Sequence, residues 1–255
     1  MDIKIYFLLL QKEIRELILT QKGIAFIAIL AFFSAVSPIS AFFMPEIMKS
    51  ISETQNLQII LPEPTWLDSI QQYIKNITQI CTFIAIIIFM GFISKEKESG
   101  TLVFLFVKPV KRDLYILSKY TAITIFVSIS AIINTVVVYL LTYYLFGKIN
   151  FITIIKLNFF IWVYLMIIMH SVVFFSSLFK SQIISGVSSF GFYLLFSLAG
   201  GFFSFSEYLP VGVLDQASVV LQNGSINFWP VLSSFVLIIS FVVLSIFFIN
   251  KWEAK

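Results

Sequence analysis

The chain has 255 residues, of which 59% are hydrophobic and only 12% charged, and its mean hydropathy is +0.99. Soluble domains carry about 25% charged residues, so half that supply cannot build a water-facing surface and a soluble globular fold is excluded. A net charge of +4 does not point to nucleic acid here, because the basic residues sit at the ends of apolar runs. The single cysteine, Cys81, excludes an internal disulfide framework and a multi-cysteine metal site.

Residues 1–22 read as an amphipathic helix. Ile3, Phe7, Leu10, Ile14 and Leu17 recur at helical spacing, with Lys4, Lys12, Glu13, Arg15 and Glu16 mostly off that stripe. Those charges interrupt the first apolar run, so it does not read as a signal peptide. A helix of this kind is expected to lie in the membrane interface rather than cross it. A helical span needs about 20 mostly apolar residues. Six spans are predicted, at about 23–44, 77–93, 120–146, 157–179, 183–203 and 228–250, with Pro38 a kink in the first. No charge falls between Tyr120 and Gly147 or between Gln216 and Asn250. The expected fold is an all-α integral membrane protein forming a single transmembrane domain over 1–255.

With the N-terminus inside, 13 of the 17 lysines and arginines fall on inner segments; Lys49, Lys75, Lys148 and Lys156 fall outside. That bias predicts six spans with both termini cytoplasmic. The outer loops 45–76 and 204–227 are long. The first holds Pro62-Glu63-Pro64 and an expected short helix from Trp66.

The inner loop 94–119 has more structure than a connector needs. A charged head, Lys95 to Glu98, precedes Gly100 and an apolar run, Leu102 to Val107. Pro109 ends that run, and Lys108, Lys111 and Arg112 add a basic cluster. A short apolar helix held along the inner face would suit a partner's groove; the alternative reading is an ordinary loop with positive-inside anchors.

The pattern Glu96-x-Glu98-x-Gly100-Thr101-Leu102, followed by Pro109-Val110-x-Arg112 and Lys119, resembles the loop signature of type-2 ABC transporter permeases. The stretch Leu61-Pro62-Glu63-Pro64, with Gln72, Asn76 and Gln79, is similar to one branch of that family. The resemblance implies a coupling helix in loop 94–119 that rests on a separate ATPase subunit, with Glu96, Glu98, Gly100, Thr101, Leu102, Pro109 and Arg112 transmitting its motion. It implies the partners of an exporter permease: an ABC ATPase subunit, a second permease copy or paralogue, and the lipid bilayer of the plasma membrane. ATP and Mg are expected on the ATPase, and no cofactor on this chain. A phosphate-cradling G-x-x-x-x-G-K-[ST] loop is absent: the one Gly-Lys pair, Gly147-Lys148, is followed by Ile149. The chain is therefore not expected to be an enzyme. The alternative expectation is a non-transporting scaffold, or an immunity subunit against an antimicrobial peptide, that still recruits an ATPase.

The polar residues inside the spans complete the candidates. His170 in the fourth span has no carboxylate in any predicted span to pair with, so neither a catalytic nor a metal site is expected. It reads as a neutral, hydrogen-bonded histidine between helices. Asn134 in the third span is expected to bond across helices or line a pathway. In the fifth span Ser185 and Ser189, and Ser197 and Gly201, are four apart, a spacing of small residues that lets helices approach closely, within the chain or between subunits.

Overall fold

The computed structural model describes residues 2–55, 63–107, 111–147, 149–202, 206–222 and 224–252. Pro109 and the Leu61-Pro62 stretch lie outside them. All regular structure among the described residues is helical. Six helical segments are long and apolar enough to cross a membrane: Lys22–Lys49, Trp66–Glu98, Arg112–Phe146, Phe151–Leu178, Gln182–Gly200 and Trp229–Lys251.

The chain opens with α1, Asp2–Leu19. Its buried side is Leu9, Glu13 and Leu17, one residue per turn, and packs on the third span and the start of the first. The expected stripe is only partly this face. Ile3 and Phe7 point outward, at 73% and 60% exposure. The helix thus has two apolar sides, one closed by protein and one left open beside the spans.

The first span lies within α2, Lys22–Gln55, which carries through both Pro38 and Pro45. Each proline forfeits one i→i−4 bond, but the flanking turns hold. At about 1.5 Å per residue, so long a helix outruns the roughly 30 Å of hydrocarbon. The second span is built from α3, Trp66–Lys75, a π-helical stretch, Asn76–Cys81, and α4, Thr82–Phe89. The expected short helix at Trp66 is therefore continuous with the span. Its start is held by Asp68, whose carboxylate accepts from the Thr65 backbone N–H at 2.8 Å. The π-helical stretch frees carbonyls for side chains: the hydroxyls of Tyr164 and Tyr193 both donate to the Thr78 carbonyl, at 3.1 and 3.2 Å.

Two short helices, α5 at Ser94–Glu98 and α6 at Thr101–Phe106, lead to α7, Arg112–Phe146. The third span thus begins eight residues before the expected Tyr120, because Tyr115, Ile116 and Lys119 pack inside. α8, Phe151–Leu178, is the most enclosed span, contacted by α7, α9, α10 and α11. α9, Gln182–Phe202, precedes two single 3-10 turns and α10, Val213–Leu221, which packs on α8. α11, Trp229–Lys251, is the sixth span.

Because lipid is as apolar as the core, the spans are held to one another by close packing and cross-helix hydrogen bonds. Tyr73 donates to Asn158 at 2.5 Å, Asn76 to Ser37 at 2.9 Å, and Trp162 to Ser128 at 3.1 Å. The hydroxyls of Ser69 and Thr142 meet at 3.1 Å. Tyr120, Ser177 and Ser245 join α7, α8 and α11, with Ser245 2.7 Å from Tyr120 and 3.0 Å from Ser177.

Candidate functional site

The loop between the second and third spans sits at the end of the bundle where α1 begins, and there the helices deliver charge into a closed interior. Lys119 and Glu13 are fully buried and meet at 2.8 Å. The same ammonium reaches Glu96 Oε1 at 2.8 Å and the Phe92 carbonyl at 3.0 Å. Lys12 spans Glu13, Glu96 and Glu16 at 2.9, 3.2 and 3.3 Å. The Tyr115 hydroxyl donates to Glu96 Oε2. Three carboxylates and two ammonium groups therefore tie α1, α5 and α7 into one unit. Burial acts against the Lys12 ammonium, but the carboxylates of Glu13, Glu96 and Glu16 outweigh it and hold its pKa above the ordinary lysine value. Glu13, Glu16 and Glu96 are close enough to hold a metal ion, yet the lysine ammonium groups already occupy the cation positions among them.

Other cations of the loop cap helix ends. The last carbonyls of a helix lack intrahelical partners and carry its negative pole, so a cation there is favourable. Arg112 Nη1 donates to the carbonyls of Ile249, Asn250 and Trp252 at 3.0, 2.9 and 3.0 Å, closing α11. Its guanidinium lies 5.0 Å from the ring centroid of Phe106. The buried Lys97 donates to the Ser177 carbonyl, one residue before α8 ends. Ser176 Oγ in turn accepts the backbone N–H groups of Ile93 and Ser94 at 2.7 and 2.9 Å. The loop is thus fastened to the second, fourth and sixth spans at once.

The predicted loop residues divide into anchors and surface. Glu96 is an anchor, its side chain only 14% exposed. Leu102 is buried. Glu98 is exposed and accepts from Gln182 Nε2, at the start of α9, at 3.2 Å. Thr101 Oγ1 donates to the Glu96 carbonyl at 3.3 Å. Gly100 turns the chain between α5 and α6 at φ +73°, a left-handed conformation that side-chain-bearing residues resist. A Cβ there would meet no atom within 4 Å, so backbone conformation alone calls for glycine. Beyond that turn α6 exposes Val103 and Phe104, and Val107 at its C-terminal cap is exposed too, the last two at 75% and 80%. The structure does not describe Pro109.

The remaining candidates lie elsewhere. His170 is buried in α8; its Nδ1 must donate to the Met166 carbonyl at 2.8 Å, since that carbonyl only accepts. Its Nε2 lies 3.4 Å from Thr124 Oγ1 on α7. Asn134 is buried, and among the described residues its side-chain oxygen has no hydrogen-bond partner. Ser185 and Ser189 are buried inside the chain, and Ser189 donates to the Ser185 carbonyl at 2.7 Å. The adjacent Gly186 faces the second span so closely that a Cβ would lie 2.7 Å from Met90 Sδ. Ser197 is exposed on α9, and the Gly201 surroundings lie outside the described side chains. Among the described residues, Ser185, Ser189 and Ser197 make no hydrogen bond to the loop cluster.

Sequence reasoning missed Glu13, Lys12, Lys97, Tyr115 and the buried role of Lys119. A readable signal existed for Glu13: it stands between Leu9 and Leu17 at i±4, a charge inside an apolar row.

No curated protein gives a significant match to the chain. The family model described as ABC-2 family transporter protein matches residues 7–248, nearly the whole chain, including the first five spans, most of the sixth and the charged loop. The chain belongs to the ABC-2 transporter family, and its helical bundle is a multi-pass membrane permease component of an ABC transporter.

Proposed function

We propose that this chain is the permease subunit of an ATP-driven exporter in the plasma membrane, with the α1 and α6 end in the cytoplasm. The observation that carries the reading is the contrast within the loop: its base is pinned by buried charge, while Phe104 on α6 and Val107 at its C-terminal cap stand exposed. A rigidly mounted apolar tip fits a groove on an ATPase partner, which would bind ATP and Mg. Movement imposed on α6 would pass through Gly100, Glu96 and Arg112 to the ends of the second, third and sixth spans. The open apolar side of α1, with Ile3 and Phe7, suits the membrane interface. A second permease copy or paralogue would complete the pathway, and the exposed side of α9, with Val187 and Leu195, is available to it. Cysteine placed at Ser197 is expected to cross-link two copies; no dimer from that exposed position would remove α9 from the subunit contact.

The deciding experiment co-expresses the chain with the ATPase encoded beside it and asks whether the two co-purify in about equal amounts. Phe104→Glu is expected to abolish co-purification while leaving the bundle folded, because a charge there must be desolvated against the partner. Retention of the ATPase by Phe104→Glu would overturn the docking surface. A wild-type chain that purifies alone would overturn the ATPase assignment itself.

A further inference from the structure

A cavity of about 500 Å³ opens at the same end of the bundle, and no residue of α6 lines it. It is lined at its mouth by Thr20, Gln21, Lys22, Lys95 and Gln182, and along its wall by apolar residues of the first and second spans, among them Ile87 and Met90. Neither Lys22 nor Lys95 makes an ion pair or side-chain hydrogen bond among the described residues. Burial and the like charge of Lys95 act against the Lys22 ammonium; Glu16 attracts it, but that carboxylate is already engaged by Lys12 at 3.3 Å, and Lys119 adds a weaker repulsion. Two ammonium groups without a bonded partner among the described residues therefore share one opening. Ile87, about half exposed, continues the apolar wall outward along the side of the span.

We infer that this cavity holds the anionic head group of an acidic phospholipid, its phosphate between Lys22 and Lys95 and an acyl chain along Ile87. The chemistry demands both halves. An anion relieves the repulsion between the lysines, and basic pockets between membrane helices take such head groups. The wall below is an apolar track in the membrane region, which a free anion leaves empty and an acyl chain fills. The occupant is a lipid and not a partner's carboxylate, because the lining runs down the first and second spans and not toward the exposed tip of α6. Gln182 connects the site to the loop, since its amide also donates to Glu98 at 3.2 Å.

The test uses the full chain purified in a non-ionic detergent and in nanodiscs of phosphatidylcholine with a minor fraction of phosphatidylglycerol. Native mass spectrometry counts the lipids retained. The wild-type chain is expected to retain phosphatidylglycerol in preference to phosphatidylcholine. The paired Lys22→Gln and Lys95→Gln variant is expected to lose that preference by about tenfold. The paired Lys→Arg variant keeps the charge and should restore it, which separates loss of binding from loss of folding. Lys75→Gln, a lysine of the opposite end, should behave as wild type. Unchanged phosphatidylglycerol retention in the paired Gln variant overturns the site. Inorganic phosphate bound as tightly as the lipid overturns the lipid assignment. A paired Gln variant that keeps its lipid but sheds a co-expressed ATPase assigns the lysines to a protein contact instead.

Discussion

At the scale of single residues, the informative groups are those whose environment opposes their chemistry. Lys119 is a fully buried cation whose existence depends on Glu13 and Glu96. Removing one partner of a buried pair leaves an uncompensated charge and typically costs about 3–5 kcal/mol, whereas removing both partners costs much less. Lys119→Met is therefore expected to destabilise the chain by that order in detergent unfolding. Combining it with Glu13→Gln should cost less than the two changes summed, by about 1 kcal/mol or more. Strict additivity would show that the pair does not act as a unit. Gly100 presents a different kind of constraint, since only its φ of +73° matters and space is open around it. A valine there should cost about 1–2 kcal/mol, and asparagine, which visits that conformation more readily, should cost less. On the proposed function, the readout is ATP hydrolysis by the co-purified ATPase, with Gly100→Asn retaining more of it than Gly100→Val. Equal coupling in both would remove the turn from the mechanism.

At the scale of elements, the loop from α5 to α7 works as a clamp on helix ends. Arg112 Nη1 shares its two N–H groups among three carbonyls of the α11 terminus, which places the guanidinium charge at the negative pole of the helix. Arg112→Glu places a negative charge against a negative helix pole. Amide exchange in residues 245–252 is expected to accelerate, with the centre of α11 unaffected, and, on the proposed function, coupling to ATP hydrolysis should fall. Unchanged exchange would show that α11 is held by packing alone. α1 shows why a hydrophobic stripe read from spacing identifies an apolar side but not its occupant. Leu17 goes into the protein, Ile3 and Phe7 stay open, and Leu9 and Glu13 supply the contact. Helical period is the same for lipid and for protein, so only the neighbouring spans decide which side each residue serves.

At the scale of the whole molecule, α1 is attached by two kinds of charge pair with different sensitivities. Asp2 and Lys111, both exposed, pair at 2.6 Å; Lys111 holds the Asp2 carboxyl below its ordinary pKa, and Asp2 raises that of Lys111. The Glu13–Lys119 pair is buried. Salt screens exposed pairs far more than buried ones, so high ionic strength should loosen the first turn of α1 while Glu13 stays docked. Lys12 has a raised pKa, so its contribution is complete at and below the ordinary lysine value and is lost only as pH rises through the raised one. Proteolysis of α1 is expected to stay slow up to about pH 10 and to accelerate beyond it. Release of α1 near neutral pH would contradict the network.

Much of this was legible in the chain itself. Charge scarcity and apolar runs of spanning length determined a helical membrane protein, because the cost of burying charge in lipid is written directly into composition, and the pattern from Glu96 to Lys119 pointed to the ABC-2 family. Helix ends were less legible: the second span starts at Trp66 and the third at Arg112, since polar residues such as Asp68 and Lys119 stay helical where caps and buried partners satisfy them. Only the tertiary structure decided that Glu96 is an anchor and Phe104 a surface, that Arg112 closes the last helix, and that Lys22 and Lys95 share a cavity. Each of those facts joins residues distant in sequence, and a charge declares its role only when the group opposite it is known.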